Sequence, residues 1–229
     1  MLSPQMEILM LKRLKQPAWI VLVSTMLIAN TVHAATQEKL SINKNGIKVW
    51  TYQVENNPIM RYRAETIVNT TLENAVGLIL DTEKGKKWIP YVSDLSVIER
   101  NDTIGKFIVY MRLDFPFPLS DRDLVVEGKL SKLSDGRIVF KNKSIVDARV
   151  PVKANIVRIQ QYEGDWVFQK LAAQQVKVST SGFADPAGAI PLSFVNNFVQ
   201  QQPYQMLQRM KQQVKQSHYS SNDIPEVLR

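Results

Sequence analysis

The chain has 229 residues, 29 basic and 21 acidic side chains, a formal charge of +8, no cysteine and two histidines. Without cysteine, and with His33 and His218 lying near the two ends, Ser-His-Asp and Cys-His catalysis and the common zinc sites are excluded; no metal and no cofactor is expected. The lysines and arginines are scattered between apolar runs rather than gathered in a stripe, so nucleic acid is not an expected partner.

Residues 1–34 read as a secretory signal peptide. Lys12, Arg13 and Lys15 form a basic start, residues 18–32 an apolar run, and Val32-His33-Ala34 a small-residue cleavage site. Cleavage is expected after Ala34, with Ala35 as the alternative, and the product is expected in the periplasm. The competing reading is a retained membrane anchor, but the apolar run is shorter than the ~20 residues that span a bilayer. Residues 35–216 are expected to form one domain, large enough to stand without disulfides, followed by a polar, frayed tail over 217–229.

Alternation predicts most of the domain to be strands. Two come first, over 46–54 and 60–68, joined through the turn signal Glu55-Asn56-Asn57-Pro58. Residues 71–81 switch to helical spacing, with Thr71 as cap and Leu72, Val76, Ile79 and Leu80 as the apolar side. The run "KGKKWIPYVSDL" is expected to be a loop anchored by buried Trp88 and Tyr91. "SVIER" and "GKFIVYMRLDF" are the next strands. In the second, Phe107, Val109, Met111 and Leu113 share one face, and Lys106, Ile108, Tyr110 and Arg112 the other. In "DLVVEGKLSKL", Leu124, Val126, Gly128 and Leu130 are set against Asp123, Val125, Glu127 and Lys129. Further strands are expected in "GRIVFKNKSI", "NIVRIQQYEGDWVFQKL" and "QQVKVSTSGF", with a hairpin turn at 163–165. Pro191 is placed as the first residue of a final helix, and Pro203 is expected to kink it. Phe194, Val195, Phe198 and Val199, then Met206, Leu207, Met210 and Val214, recur at helical spacing. The order of elements is that of an α+β fold whose last helix covers one face of a curved antiparallel sheet.

"FPFPLSDRDLVV" sits in the middle. Asp121 and Asp123 could serve as an acid–base pair, but residues two apart on a strand share a face, and nothing separates their proton affinities. A brace at the start of a strand is the simpler reading. The interleaved prolines protect the strand end rather than offer a polyproline ligand.

Three motifs in order carry a family resemblance: Trp88 before an apolar loop; Pro116, Pro118, Ser120, Arg122 and Asp123; and Asp185, Pro186, Gly188, Ile190, Pro191 and Asn196 ahead of the last helix. Together they make the chain resemble the START domain family of lipid-binding, helix-grip proteins. The resemblance implies a sheet gripping the C-terminal helix around an apolar tunnel, and work that is non-catalytic: binding, carrying or sensing a lipid or other apolar molecule. The protein is expected to transfer its guest as a monomer that touches membranes transiently. The ligand-contact residues it suggests are Trp88, Val109, Met111, Arg158, Phe194, Phe198, Leu207 and Met210, with Gly188 and Pro203 as flex points. Met suits this role because it adapts its shape to mobile guests. An inward Arg158 would anchor an anionic headgroup, whereas an outward one would sit on a solvated sheet face. The arginine and aspartate that flank the loop tryptophan in phosphatidylcholine-binding members are replaced here by Gly85 and Ile89. The buried acid–arginine pair of sterol-binding members is replaced by Val109 and Gly128. The identity of the ligand therefore does not carry over. The rival reading is a cyclase- or dehydratase-like enzyme that uses Tyr110 or Asp114 in the same cavity.

Overall fold

A computed structural model describes residues 37–229; the expected signal peptide lies outside the described residues. The alternating runs form ten strands: β1 (Lys39–Lys44), β2 (Ile47–Tyr52), β3 (Arg61–Val68), β4 (Val92–Asn101), β5 (Lys106–Leu113), β6 (Asp121–Lys132), β7 (Ile138–Ser144), β8 (Ile156–Arg158), β9 (Gln161–Ala172) and β10 (Gln175–Asp185). The helices are α1 (Leu72–Leu80), α2 (Thr82–Trp88) and α3 (Leu192–Gln213). The sheet is open and ordered β1-β2-β3-β10-β9-β7-β6-β5-β4, with short β8 lying parallel beside the start of β6. All other pairings are antiparallel. The fold is the expected one: a curved antiparallel sheet wrapped around the C-terminal helix.

The main core lies between the sheet and the helices. Ile47, Val49, Ala64, Phe168, Val176 and Val178 supply its floor. Ala75, Val76 and Leu78 of α1 and Met206, Leu207 and Met210 of α3 close it from above. α1 is capped by Thr71, whose side chain accepts from the Asn74 N–H, as its spacing predicts. α3 begins one residue later than expected, with Pro191 as its cap, and continues through Pro203, which is buried. Asn196 fastens its first turns to the β2–β3 loop: its side-chain oxygen accepts from the Met60 N–H at 3.0 Å.

Four local expectations are corrected. An additional strand, β1, precedes the expected first one; Asn45 and Gly46, with φ of 55° and 70°, form the tight hairpin turn that such a pair favours. Residues 84–88, expected as loop, belong to the short helix α2, which Asp81 caps by accepting from the Lys84 N–H. Residues 163–165 are not a turn. They run through β9, each paired with β10, and the chain reverses instead after Ala172. Gly164 there serves close packing, since a Cβ would collide with the Tyr162 hydroxyl. The expected frayed tail is folded: Ile224 and Leu228 are buried in the main core, and Tyr219 packs on α1 at Gly77, where a Cβ would strike its ring. Among the described residues no helix is long and apolar enough to cross a membrane.

Candidate functional site

Two adjoining hollows lie on the inner face of the sheet, the inner one beneath α1 and α2 and the outer one beneath α3. The inner one, about 100 Å³, is lined by Ile79 and Leu80 of α1, Trp88, Leu95, Phe107, Val109, Val126, Phe140 and Asn142. The outer one, about 170 Å³, is lined by Pro90, Leu113, Leu124, Ile159, Phe183, Phe198, Val199 and Met206. Ile89, Met111, Tyr162 and Trp166 line both. Strand register explains the apolar floor. Val109 opposes Val126, Met111 opposes Leu124, and each lies on the inward side of the pleat.

One row of that floor is bare. Gly182 of β10 pairs with Gly164 of β9, Gly164 with Asn142 of β7, and Asn142 with Gly128 of β6. Aromatic rings occupy the room the glycines leave. Tyr62 lies over Gly182, Tyr162 over Gly164, and Phe140 over Gly128. Enclosure among apolar side chains pushes both tyrosine phenols above their ordinary value, so both stay protonated near neutrality. Trp88, 1% exposed, meets Trp166 edge-on at 6.2 Å. The Trp88 indole N–H, beside the inner hollow, has no partner among the described residues. The lining is thus apolar with a few convergent polar atoms, the usual make-up of a small-molecule site.

At the outer end the aromatic residues gather. Phe115 stacks on Phe198 at 5.5 Å, and Tyr91 lies 5.0 Å from Phe198. Tyr91 has a φ of 66° and is partly exposed, so it is not the buried anchor its loop position suggested. Phe117, at the tip of the β5–β6 loop, is 96% exposed. Leu192 and Phe194 open outward from the first turn of α3.

Of the eight residues singled out in the sequence, four line the hollows: Trp88, Val109, Met111 and Phe198. Leu207 and Met210 are fully buried in the core beside them, because the inner half of α3 meets the sheet directly. Phe194 faces outward. Arg158 is on the far side of the sheet, where its guanidinium grips Asp123 through two bonds of 2.6 and 3.0 Å. Its remaining donors reach the Val150 and Pro151 carbonyls. Sequence reasoning missed Trp166, Tyr62, Tyr162 and Phe140. Their alternation marks an inward face but does not say which inward residues border space. The two residues offered for catalysis are also outside: Tyr110 is covered by the 145–153 segment and accepts from Lys153, and Asp114 is exposed and bonded to Ser93.

The "SDRD" stretch is a brace. Asp121 and Asp123 share the outer face, as their spacing requires. Arg112 bonds Asp121 at 2.5 Å and holds its carboxyl below the ordinary value. Arg122 points the other way. The positions that depart from the family's headgroup patterns are filled by apolar packing. A side chain at Gly85 would meet Leu95 at 2.5 Å, and one at Gly128 would meet Phe140.

Comparisons with known proteins agree with this architecture. A STAR-related lipid transfer protein from Xanthomonas axonopodis superposes with a TM-score of 0.72 at 26% identity, over 78% of this chain and 98% of that one. An uncharacterized protein of Pseudomonas aeruginosa is 23% identical over 173 residues, 76% of this chain and 84% of the relative. The phosphatidylcholine transfer protein of Rattus norvegicus is 24% identical over 162 residues, 69% of this chain and 74% of its own length. The family model described as START domain matches residues 9–220, and with the helix-grip sheet and the apolar hollow beneath α3 it establishes that this chain belongs to the START domain family.

Proposed function

We propose that the protein is an exported, non-catalytic carrier that takes one lipid into the hollow beneath α3 and passes it between membranes. The observation that carries this reading is the lining itself: aromatic and aliphatic side chains from sheet and helix surround the hollow, with only scattered polar atoms. Burying an acyl chain there would contribute about 25 cal/mol for each Å² of apolar surface removed from water. Both hollows are smaller than the ~300 Å³ at which small-molecule pockets begin, so uptake requires α3 or the β5–β6 loop to move outward. Exposed Phe117, Leu192 and Phe194 beside the outer hollow suit insertion of that end into a bilayer surface. The names of the relatives favour a lipid as guest. Export and the periplasm rest on the leader sequence alone, and the monomeric state on the family resemblance.

Catalysis is the weaker reading. Among the described residues the titratable groups lining the hollows are Tyr62 and Tyr162, whose phenols are pushed up and hold their protons, which makes them poor bases near neutral pH. Native mass spectrometry of protein purified from the periplasm, followed by organic extraction, decides between the two. An intact co-purified lipid is the expected result. A protein free of bound mass, or one that turns the extracted lipid over, overturns the carrier.

A further inference from the structure

The inward side of β6 starts with a charged residue, two positions before Leu124 of the outer hollow's lining. Arg122 shares its face with Leu124, which lines the outer hollow, and is 2% exposed. The carboxylates on either side of it turn outward and are taken by other arginines, Asp121 by Arg112 and Asp123 by Arg158. Arg122 itself forms no ion pair among the described residues. Its guanidinium donates to three main-chain carbonyls: those of Ser120, of Pro186 at 3.3 Å and of Ala187 at 3.2 Å. It also lies 5.0 Å over the ring of Phe115, which stacks on Phe198 at the hollow's rim.

Two of those three carbonyls belong to the strap that joins β10 to α3. The strap has two left-handed residues, Ala187 with φ of 54° and Gly188 with φ of 73°, and the first is a non-glycine in a disfavoured conformation. A desolvated cation is therefore satisfied by neutral oxygens of a strained connection. Guanidinium and anion attract as opposite charges, which a neutral carbonyl cannot match, and the planar fork fits a phosphate or carboxylate through two parallel bonds. Burial draws the guanidinium below its ordinary proton affinity, against the pull of the nearby Asp121 charge.

We propose that Arg122 recognises the anionic headgroup of the guest, with phosphate as the class that fits its fork, and that the headgroup replaces the Pro186 and Ala187 carbonyls and so frees the strap ahead of α3. This rests on the carrier reading and adds the chemistry of the guest and the trigger for opening.

The test uses the full-length protein as purified, with vesicles of digalactosyldiacylglycerol, which lacks phosphate, doped with either phosphatidate or diacylglycerol of the same chains. Lipid recovered with the protein is measured by mass spectrometry. The wild type is expected to favour phosphatidate by about tenfold, the loss that removing one charged hydrogen-bond partner commonly causes. Arg122→Gln is expected to bring phosphatidate uptake down towards that of diacylglycerol, with Arg122→Lys between the two. Hydrogen exchange over residues 185–190 is expected to quicken on loading with phosphatidate and not with diacylglycerol. Equal uptake of the two lipids by the wild type, or an undiminished preference in a folded Arg122→Gln, overturns the proposal and leaves the carrier reading standing. Uptake of neither lipid overturns both. Inorganic phosphate that raises the melting temperature of the wild type but not of Arg122→Gln, without any lipid preference, assigns a free-phosphate site instead and overturns the headgroup. Should Arg122→Gln fail to melt cooperatively, the wild-type ratio and Arg122→Lys decide.

Discussion

Asp121, Arg122 and Asp123 are consecutive, yet each holds a different part of the molecule. Asp121 ties β6 to β5 through Arg112, Arg122 holds the strap before α3, and Asp123 with Arg158 fastens the 145–153 segment over the outer face. Asp123 is fully buried and Arg158 nearly so. Removing one partner of a buried pair strands the other charge, so Asp123→Ala is expected to cost about 3–5 kcal/mol, read as a lowered midpoint in urea denaturation. Its effect on lipid uptake should follow stability alone, since the pair lies on the far side of the sheet from the hollow. Phe198 is the reverse case. Its ring borders the outer hollow and packs on Tyr91 and Phe115. Phe198→Asp is expected to abolish lipid recovery in a protein that still melts cooperatively; unchanged recovery would remove Phe198 from the site.

Among the elements, α1 and the C-terminal segment depend on one absent methyl group. Gly77 sits mid-helix, where Ala would be preferred by about 1 kcal/mol. The Tyr219 side chain occupies the space its Cβ would need. Gly77→Ala should therefore destabilise by about 1–3 kcal/mol through overpacking and raise hydrogen exchange over 217–229. A stabilised protein with an unmoved tail would contradict this. The same contact shows what a sequence withholds. The strands, the capped α1 and the long α3 were legible because their period repeats over many residues. So was the division of faces on β5 and β6. The role of Gly77, the course of β9 through Gly164 and the docking of residues 217–229 were not, because each depends on a partner far along the chain. The site was half legible for a related reason. Alternation identifies Val109 and Met111 as inward, but only the distance of α3 from the sheet separates Phe198, which meets space, from Leu207, which meets the core. Arg158 was misplaced because β8 pairs with β6 in parallel, which a three-residue strand does not reveal.

At the scale of the whole molecule, an open sheet exposes two edges to other chains. β1 carries Lys39 and Lys44 at its ends, and β4 has two irregularities in its pairing with β5, both of which discourage edge-to-edge association. The terminal segment closes the structure at the other end through a polar cluster. The Tyr219 hydroxyl donates to Asp81, and Lys84 lies beside both. Partial burial works against the charge on Asp81, but the bonds from Tyr219 and Lys84 prevail and hold its carboxyl below the ordinary 3.8. Burial and the bond to Asp81 push the Tyr219 phenol above 10.0. A depressed carboxyl contributes stability above its unfolded value and loses it as pH falls through the folded one. A raised phenol contributes below its unfolded value and loses it as pH rises through the folded one. Docking of residues 217–229, followed by hydrogen exchange, should therefore be constant from about pH 5 to pH 9 and weaken beyond both limits. A tail whose protection does not change between pH 3 and pH 7 would remove Asp81 from its docking.

The bare row across the sheet floor has a kinetic consequence. Tyr62, Tyr162 and Phe140 lie flat in the room left by Gly182, Gly164 and Gly128, which keeps them low on the sheet floor. Rotation of those rings off the glycines would fill the hollow with the protein's own side chains. Those three sets of side-chain torsions then adjust the floor, while the outward movement of α3 or the β5–β6 loop sets the room above it. Rotamer exchange is far faster than domain motion, even where packing slows it. A guest and the three rings then compete for one volume, so ring rotation can take up part of the space that a departing guest leaves.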